Sequence, residues 1–357
     1  DEVSSTKPGR EMDMLITGGE RKACALVSMA LHELGIESDS FTGSQAGFLT
    51  DTTHRNAKIL DVNPYRIKAS LEAGKVPVVG GSQGVSSDND VTFFGRGGSD
   101  TTAVALAHAL DAEACELYTD VPGVFTTDPR LVAGARKMDQ ISYDELLEMT
   151  ATGCPKPAMR SVELARSFGV KLHVRSAFSW VPGTWVTQEE SMERAIISAV
   201  THDTSEAKMT VLGVSDRPGI AARLFRSLAD ANVNVDMIVQ NVSEDGRTDI
   251  SFTLPHEQID ASRSTVGHLL EELGANGTIA DPEIARVSLI GAGMQTNPGV
   301  AATMFETMSV AGINIEMIST SAIRISCVVR EAQAEAAVAA LHAAFQLDRP
   351  AAERDDL

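Results

Sequence analysis

The segment Ser215-Asp216-Arg217-Pro218-Gly219-Ile220-Ala221-Ala222, with Phe225, Leu228 and Asn234-Val235-Asp236-Met237-Ile238 behind it, has a gap-free counterpart 80 residues further on. Pro218-Gly219 falls on Pro298-Gly299, Ala221-Ala222 on Ala301-Ala302, Phe225 on Phe305 and Leu228 on Met308. Asn234 falls on Asn314, Asp236 on Glu316, and Met237-Ile238 on Met317-Ile318. A fixed period of this size marks one supersecondary unit used twice. Each copy opens with an apolar strand (Met209 to Val214; Val287 to Gly291) and a Pro-Gly loop. A helix follows, with apolar residues at 221, 224, 225 and 228, repeated at 301, 304, 305 and 308. Then come an apolar run (Val233 to Val239; Ile313 to Ile318), a strand (Thr248 to Leu254; Ala322 to Val329) and a helix (Ala261 to Leu273; Ala332 to Phe345). The order β-α-β-β-α, with room for one more strand, is a ferredoxin-like α+β unit. The copies are expected at 207–280 and 285–347, before an acidic tail at 348–357. A purely structural duplication and a ligand-binding one both fit. In the second case helix-start amides would hold a carboxylate, and Asp216 and Asp236 would meet an amino group.

Residues 1–195 read differently. Helical spacing over Glu20 to Leu34 ends at Gly35, and Asn63-Pro64 opens a helix that runs to Gly74. Val76 to Val79 is a continuous apolar run, as in a buried parallel strand. A helix (Thr101 to Leu110), a strand (Ala114 to Tyr118), two helices (Ser142 to Met149; Ser161 to Phe168) and an extended segment (Val170 to Arg175) follow. Ser142 and Glu145 have capping-box spacing. Alternation of this kind predicts an α/β domain with a doubly wound, mostly parallel sheet.

Composition narrows the function classes. A net charge of −19 repels nucleic acid and anionic lipid, so neither is expected as a partner. The sequence shows no membrane-length apolar run and no signal-peptide pattern. Cys24, Cys115, Cys154 and Cys327 lack metal-ligand spacing and fit unpaired thiols in a reducing, cytoplasmic setting. The first residues are Asp1-Glu2-Val3 instead of Met, so the natural N-terminus is expected to lie upstream.

Three glycine clusters mark expected close approaches of backbone: Gly18-Gly19, Gly80-Gly81 and Gly95-Arg96-Gly97-Gly98-Ser99-Asp100. The last opens a helix, whose amides and dipole offer a positive end to phosphate oxygens. Arg96 can fork a carboxylate. Asp100 in that place suggests a cation partner, a lysine or Mg²⁺; simple helix capping by Ser99 or Asp100 is the alternative. After the next strand comes Thr119-Asp120-Val121-Pro122-Gly123-Val124-Phe125-Thr126-Thr127-Asp128-Pro129-Arg130, a turn-rich loop at the carboxyl edge of the sheet.

Together these segments resemble the aspartokinases over essentially the whole chain. Phe94 to Thr102 is nearly diagnostic, and Thr119-Asp120 through Arg130 is similar to the family's nucleotide loop. Thr17-Gly18-Gly19-Glu20, Phe41-Thr42-Gly43-Ser44-Gln45-Ala46-Gly47 and Ser82-Gln83-Gly84 also match. The duplicated half resembles tandem ACT domains. The resemblance implies an amino-acid-kinase fold followed by two ACT domains. It implies transfer of the ATP γ-phosphoryl group to the β-carboxylate of L-aspartate, the first step towards lysine, threonine and methionine. Catalytic work would fall to Arg96, Ser99 and Asp100, with Glu20, Arg96 and Gly97 on the amino acid. Gly98, Thr119, Asp120, Phe125, Thr126, Thr127, Asp128, Pro129, Arg130 and Lys156 would hold the nucleotide. Mg²⁺ would travel with ATP, with no protein cage for it. Lysine and/or threonine would act as feedback effectors at the ACT pair, through Asp216, Pro218, Gly219, Ile220, Asn234, Asp236, Gln240 and Asn241. In the second copy Asn297, Val300, Asn314, Ile315 and Ser321 would do the same. Association through the ACT domains into a homo-oligomer, or with a regulatory subunit, is expected.

Two departures from the family pattern bear on activity. The family's opening Lys-x-Gly-Gly strand has no counterpart after Asp1. In Gly153-Cys154-Pro155-Lys156-Pro157 the slot of the family's ATP-reaching lysine holds Pro155, and Lys156 stands one place later. A catalytically impaired relative that senses amino acids as a regulatory subunit is therefore the alternative reading.

Overall fold

The computed structural model describes residues 6, 8–188, 197–241, 246–294, 297 and 299–354. Pro298 of the repeat lies outside them. The chain forms two compact units. The first gathers 1–124, 137–150 and 155–191; the second gathers 125–136, 151–154 and 192–357. The sequence reading ends its first domain at 195; the units divide after Ser191, and Phe125–Arg136 and Ala151–Cys154 also go with the second.

The first unit opens with α1 (Gly9–Glu33), β1 (Ser38–Phe41), β2 (Phe48–Thr50), β3 (Ile59–Val62), α2 (Tyr65–Glu72), β4 (Val76–Val79), β5 (Gln83–Ser86) and β6 (Val91–Phe93). It continues with α3 (Gly98–Ala109), β7 (Cys115–Thr119), β8 (Gln140–Ser142), α4 (Tyr143–Ala151), α5 (Met159–Phe168), β9 (Leu172–Ser176) and β10 (Thr184–Thr187). Parallel pairs β1–β4, β2–β5, β7–β9 and β8–β10 alternate with antiparallel β2–β3, β5–β6 and β9–β10. Phe41, Phe48, Ile67, Phe94 and Ala105 form the core beneath α3. The Ser142 capping box is present in full: the Ser142 amide donates to Glu145 Oε2 (3.3 Å), and the Glu145 amide donates to Ser142 Oγ (3.3 Å). Helix α1 starts eleven residues earlier than its apolar spacing suggests, so Gly18 and Gly19 lie inside it with open space beside both. The expected close backbone approach does not occur there.

The second unit holds β11 (Ala199–Asp203), β12 (Glu206–Ser215), α6 (Ile220–Asp230), β13 (Ile238–Gln240), β14 (Arg247–Pro255), α7 (Ile259–Gly267), α8 (Leu270–Leu273) and β15 (Gly277–Asp281). The second copy follows as β16 (Ile284–Ile290), α9 (Gly299–Val310), β17 (Met317–Thr320), β18 (Arg324–Arg330) and α10 (Ala334–Ala344). Its two antiparallel sheets run β13-β14-β12-β15 and β11-β16-β18-β17. The spare strand of the first copy is β15. In the second copy that place is filled by β11, which precedes the first copy in the chain, so one module is inserted within the other. Amphipathic α6 buries Leu224 and Leu228 against Met209, Val211 and Phe252, and α9 buries Met304 and Met308 against Val287, Leu289 and Cys327. Burial pushes the Cys327 thiol up to about 12 and Cys115 up to about 11, so both stay protonated.

Candidate active site

Four segments of the first unit converge at the start of α3. Its N-cap, Gly97, has φ +71°, and no side chain caps the helix. A Cβ on Gly97 would lie 2.3 Å from that of Ala158, and one on Gly98 would lie 2.3 Å from Ser82 Oγ. On the far side, a Cβ on Gly81 would meet Ser99 Oγ at 2.8 Å. Glycine is therefore required by the approach of two other loops. Ser82 itself has φ +60° and is held there from both sides. Its amide donates to Thr102 Oγ1 (2.9 Å), and its carbonyl accepts from the Phe94 amide (2.9 Å). Such backbone strain gathers at functional sites.

Further contacts fix the ring of loops. Arg160, at the start of α5, donates to the carbonyls of Phe94 (2.9 Å) and Ala57 (2.8 Å), pinning the strand that leads into Gly95. Arg21 donates to Gln83 Oε1 (3.3 Å), which ties α1 to the Gly80–Gln83 loop beside half-exposed Glu20. Asp13, one helical turn earlier than Thr17, is fully buried; it accepts from His54 Nδ1 (2.8 Å), the Arg55 amide (3.0 Å) and the Phe93 amide (3.1 Å). Sequence reading missed Asp13. Its position among apolar helix neighbours was the available signal.

The expected site residues divide as follows. Arg96 and Ser99 are exposed, and among the described residues Arg96 has no hydrogen-bond or ion-pair partner. Asp100 meets a backbone amide where a cation was expected: its Oδ2 accepts from the Ala158 N–H at 3.0 Å. Thr119 caps its own turn through Val121 (3.1 Å). The Lys156 ammonium sits on Asp120 at 2.6 Å, both about half exposed, so the pair contributes about 0–1 kcal/mol.

Phe125 to Arg130 belong to the second unit. Thr126 is buried; its hydroxyl lies 3.0 Å from His342 Nε2 and accepts from the Arg136 amide, while its carbonyl accepts from Val200 on β11. Thr127 Oγ1 is buried and has no hydrogen-bond partner among the described residues. The Arg130 fork grips Asp128 (2.6 Å) and holds that carboxyl below the usual range. Pro129 is exposed and Phe125 half-buried.

The expected effector residues lie at the starts of helices and in the following loops. Gly219 caps α6 at φ +96°, with Ile220 buried and Asp216 and Pro218 exposed. The Asn234 amide donates to Gln258 Oε1 (2.7 Å), and Asp236 is paired with Arg286 where an amino group was expected. Gln240 and Asn241 are exposed. Asn297 Nδ2 donates to the Gly293 carbonyl (2.8 Å), Val300 is buried, Ile315 packs on the second core, and Asn314 and Ser321 are exposed.

An uncapped helix start, glycines where side chains would collide and a guanidinium without a partner among the described residues offer donors of the kind that phosphate and carboxylate accept. Among the described residues no group of three or more His, Cys, Asp or Glu is placed to hold a metal. None of their helices is long and apolar enough to cross a membrane. Gly98→Ala is expected to destabilise by about 1–3 kcal/mol through overpacking against Ser82 and Phe94. It should also raise the KM for ATP; a thermal melt and ATP kinetics check both.

Comparison with known proteins bears on the family of the chain. The amino acid kinase family matches residues 3–176, and the ACT domain matches 209–267 and 287–345. An aspartokinase of Mycolicibacterium smegmatis is 52% identical over 352 residues, 97% of this chain and 84% of that protein. One from Corynebacterium glutamicum is 51% identical over 355 residues, 97% and 83%. The crystal structure of E. coli aspartokinase III with aspartate and ADP (R-state) superposes with a TM-score of 0.80 at 25% identity, covering 95% of this chain and 77% of that one. Its T-state complex with lysine and aspartate gives 0.72 at 26%, covering 96% and 77%.

Proposed function

Because the chain belongs to the aspartokinase family, we propose that it phosphorylates the side-chain carboxylate of L-aspartate with ATP, under feedback by lysine and/or threonine at its ACT pair. The observation that carries the reading is Arg96, exposed and without a partner among the described residues, beside the uncapped start of α3. Aspartate is ionised at neutral pH, so the reaction needs no general base. A carboxylate oxygen forms a bond to the γ-phosphorus while the bond to the β–γ bridging oxygen breaks, and ADP leaves with that electron pair. No proton moves. The difficulty is to bring two anions together in line, and positioning with charge neutralisation answers it.

Arg96 forks one carboxylate of aspartate and Glu20 receives its ammonium. The amides at Gly97–Ser99 face the transferring phosphoryl group. Lys156 leaves Asp120 for a phosphate oxygen, and Mg²⁺ carried by the nucleotide would supply further charge neutralisation. Asp100 acts through Ala158, keeping the segment after Lys156 against Gly97. Lysine as effector is supported by the related E. coli enzyme solved with lysine in its T-state.

An ATP-dependent hydroxamate assay tests the reading. Aspartate should give product that glutamate does not, and lysine or threonine should suppress it. Equal rates with glutamate, or none with aspartate, would remove the assignment. Lys156→Ala should raise the KM for ATP about tenfold, as expected for one lost charge-assisted contact of about 1.4 kcal/mol. An unchanged KM would take Lys156 out of the nucleotide site.

A further inference from the structure

Aligned from strand to strand, Ala207-Lys208-Met209-Thr210-Val211-Leu212-Gly213 corresponds to Ala285-Arg286-Val287-Ser288-Leu289-Ile290-Gly291. Lys208 and Arg286 are thus counterparts, as are Asp236 and Glu316. Their ion pairs are exchanged between modules: Arg286 of the second holds Asp236 of the first, and Lys208 of the first holds Glu316 of the second. Met237 and Met317, also counterparts, meet in one apolar cluster with Ile284 and Val328. The two modules therefore face one another with local two-fold symmetry.

The symmetry breaks at one place. Among the described residues the Lys208–Glu316 pair is joined by Arg330, which reaches Glu316 at 2.8 Å and Asp281 at 2.6 Å. Arg286 is 1% exposed and holds more. Its Nη2 lies 3.0 Å from Glu206 and 3.7 Å from Asp203, and it donates at 2.8 Å to the carbonyl of Ala151, the last residue of α4. That turn is otherwise fixed by Thr152 Oγ1 on Thr201 Oγ1 (2.6 Å) and by Gly153, where a Cβ would collide with the His202 carbonyl at 1.8 Å. Three residues after Gly153 comes Lys156.

We infer that Arg286 is a positioning residue for phosphoryl transfer, coupling the Asp236 loop of the first ACT module to the turn Ala151–Cys154 and thereby to Lys156. The inference rests on the function proposed above. One guanidinium faces three carboxyl groups; burial raises the pKa of Glu206, so Asp236 and Asp203 supply the negative charge that attracts a further cation. An effector's ammonium at Asp236 removes one of the anchors of Arg286. A buried guanidinium cannot stay where a counter-charge has been taken, and it turns towards Glu206 and Asp203. The hydrogen bond to Ala151 is then lost. The Lys208–Glu316 pair, equivalent by symmetry, has no such connection among the described residues and serves as the internal control.

Arg286→Lys keeps the charge and loses the fork, so it cannot hold Asp236 and Ala151 together. In the full chain it should raise the KM for ATP about fivefold with the KM for aspartate within twofold. The further effect of saturating lysine or threonine on the KM for ATP should then fall below twofold. Glu316→Gln should leave both KM values and the effector response unchanged. If Arg286→Lys fails to fold, Asp236→Asn carries the test, with the same loss of effector response and faster exchange at 152–156. Amide hydrogen exchange at 152–156 reads the coupling without activity: faster in Arg286→Lys, unchanged in Glu316→Gln. Unaltered exchange in Arg286→Lys, or equal changes in Glu316→Gln, would overturn the inference. Altered exchange in a chain with no kinase activity would keep the coupling and remove the proposed function.

Discussion

Arg96→Ala should lower kcat/KM for aspartate by about 10²–10³-fold, a loss of about 2.7–4 kcal/mol of transition-state stabilisation. The size follows from what Arg96 is free to do. It is exposed and, among the described residues, makes no hydrogen bond or ion pair, so its removal breaks nothing in the fold. A thermal melt should coincide with that of the parent. What is lost is a pair of charge-assisted bonds to a carboxylate that must be held against a triphosphate. Arg96→Lys retains the charge without the fork and should fall between the two. A loss below threefold in Arg96→Ala would mean that another cation grips the substrate.

Asp13→Ala should cost about 3–5 kcal/mol of stability, the range for a buried charge network that loses one partner. The Asp13 carboxylate is fully buried and accepts from His54 and from the amides of Arg55 and Phe93. Removing it strands two backbone donors and an imidazole, each costing about 1–3 kcal/mol. Asp13→Asn retains an acceptor oxygen and should cost less than half as much. Because Phe93 leads directly into Gly95 and Arg96, a surviving Asp13→Asn protein should also bind ATP more weakly. Chemical denaturation checks the first effect and calorimetry the second. Equal midpoints for parent and Asp13→Ala would show that the α1 anchor lies elsewhere.

The parts of the fold that could be read in advance are those with local causes. The 80-residue repeat, the α3 start and the Ser142–Glu145 capping box each rest on residues within a few turns of one another, and all three are found. What escaped reading depends on distant partners. Strand β11 is five residues long, and its place in the second module is set by β16, beyond the whole first module. Gly18-Gly19 reads as a close approach of backbone ahead of the helix, since glycine costs a helix interior about 1 kcal/mol each. The helix survives there because Asp13 and Thr17, both buried, anchor it. Asp100 was legible as an important carboxylate but not its partner, since the Ala158 amide is 58 positions away. The pairing of Asp236 with Arg286 was hidden for the same reason.

The most direct measurement is phosphorus NMR of the protein with Mg·ATP and aspartate. The account predicts an acyl-phosphate resonance growing in step with ADP, both requiring aspartate. ADP formed equally without aspartate, or no turnover of ATP at all, would contradict it.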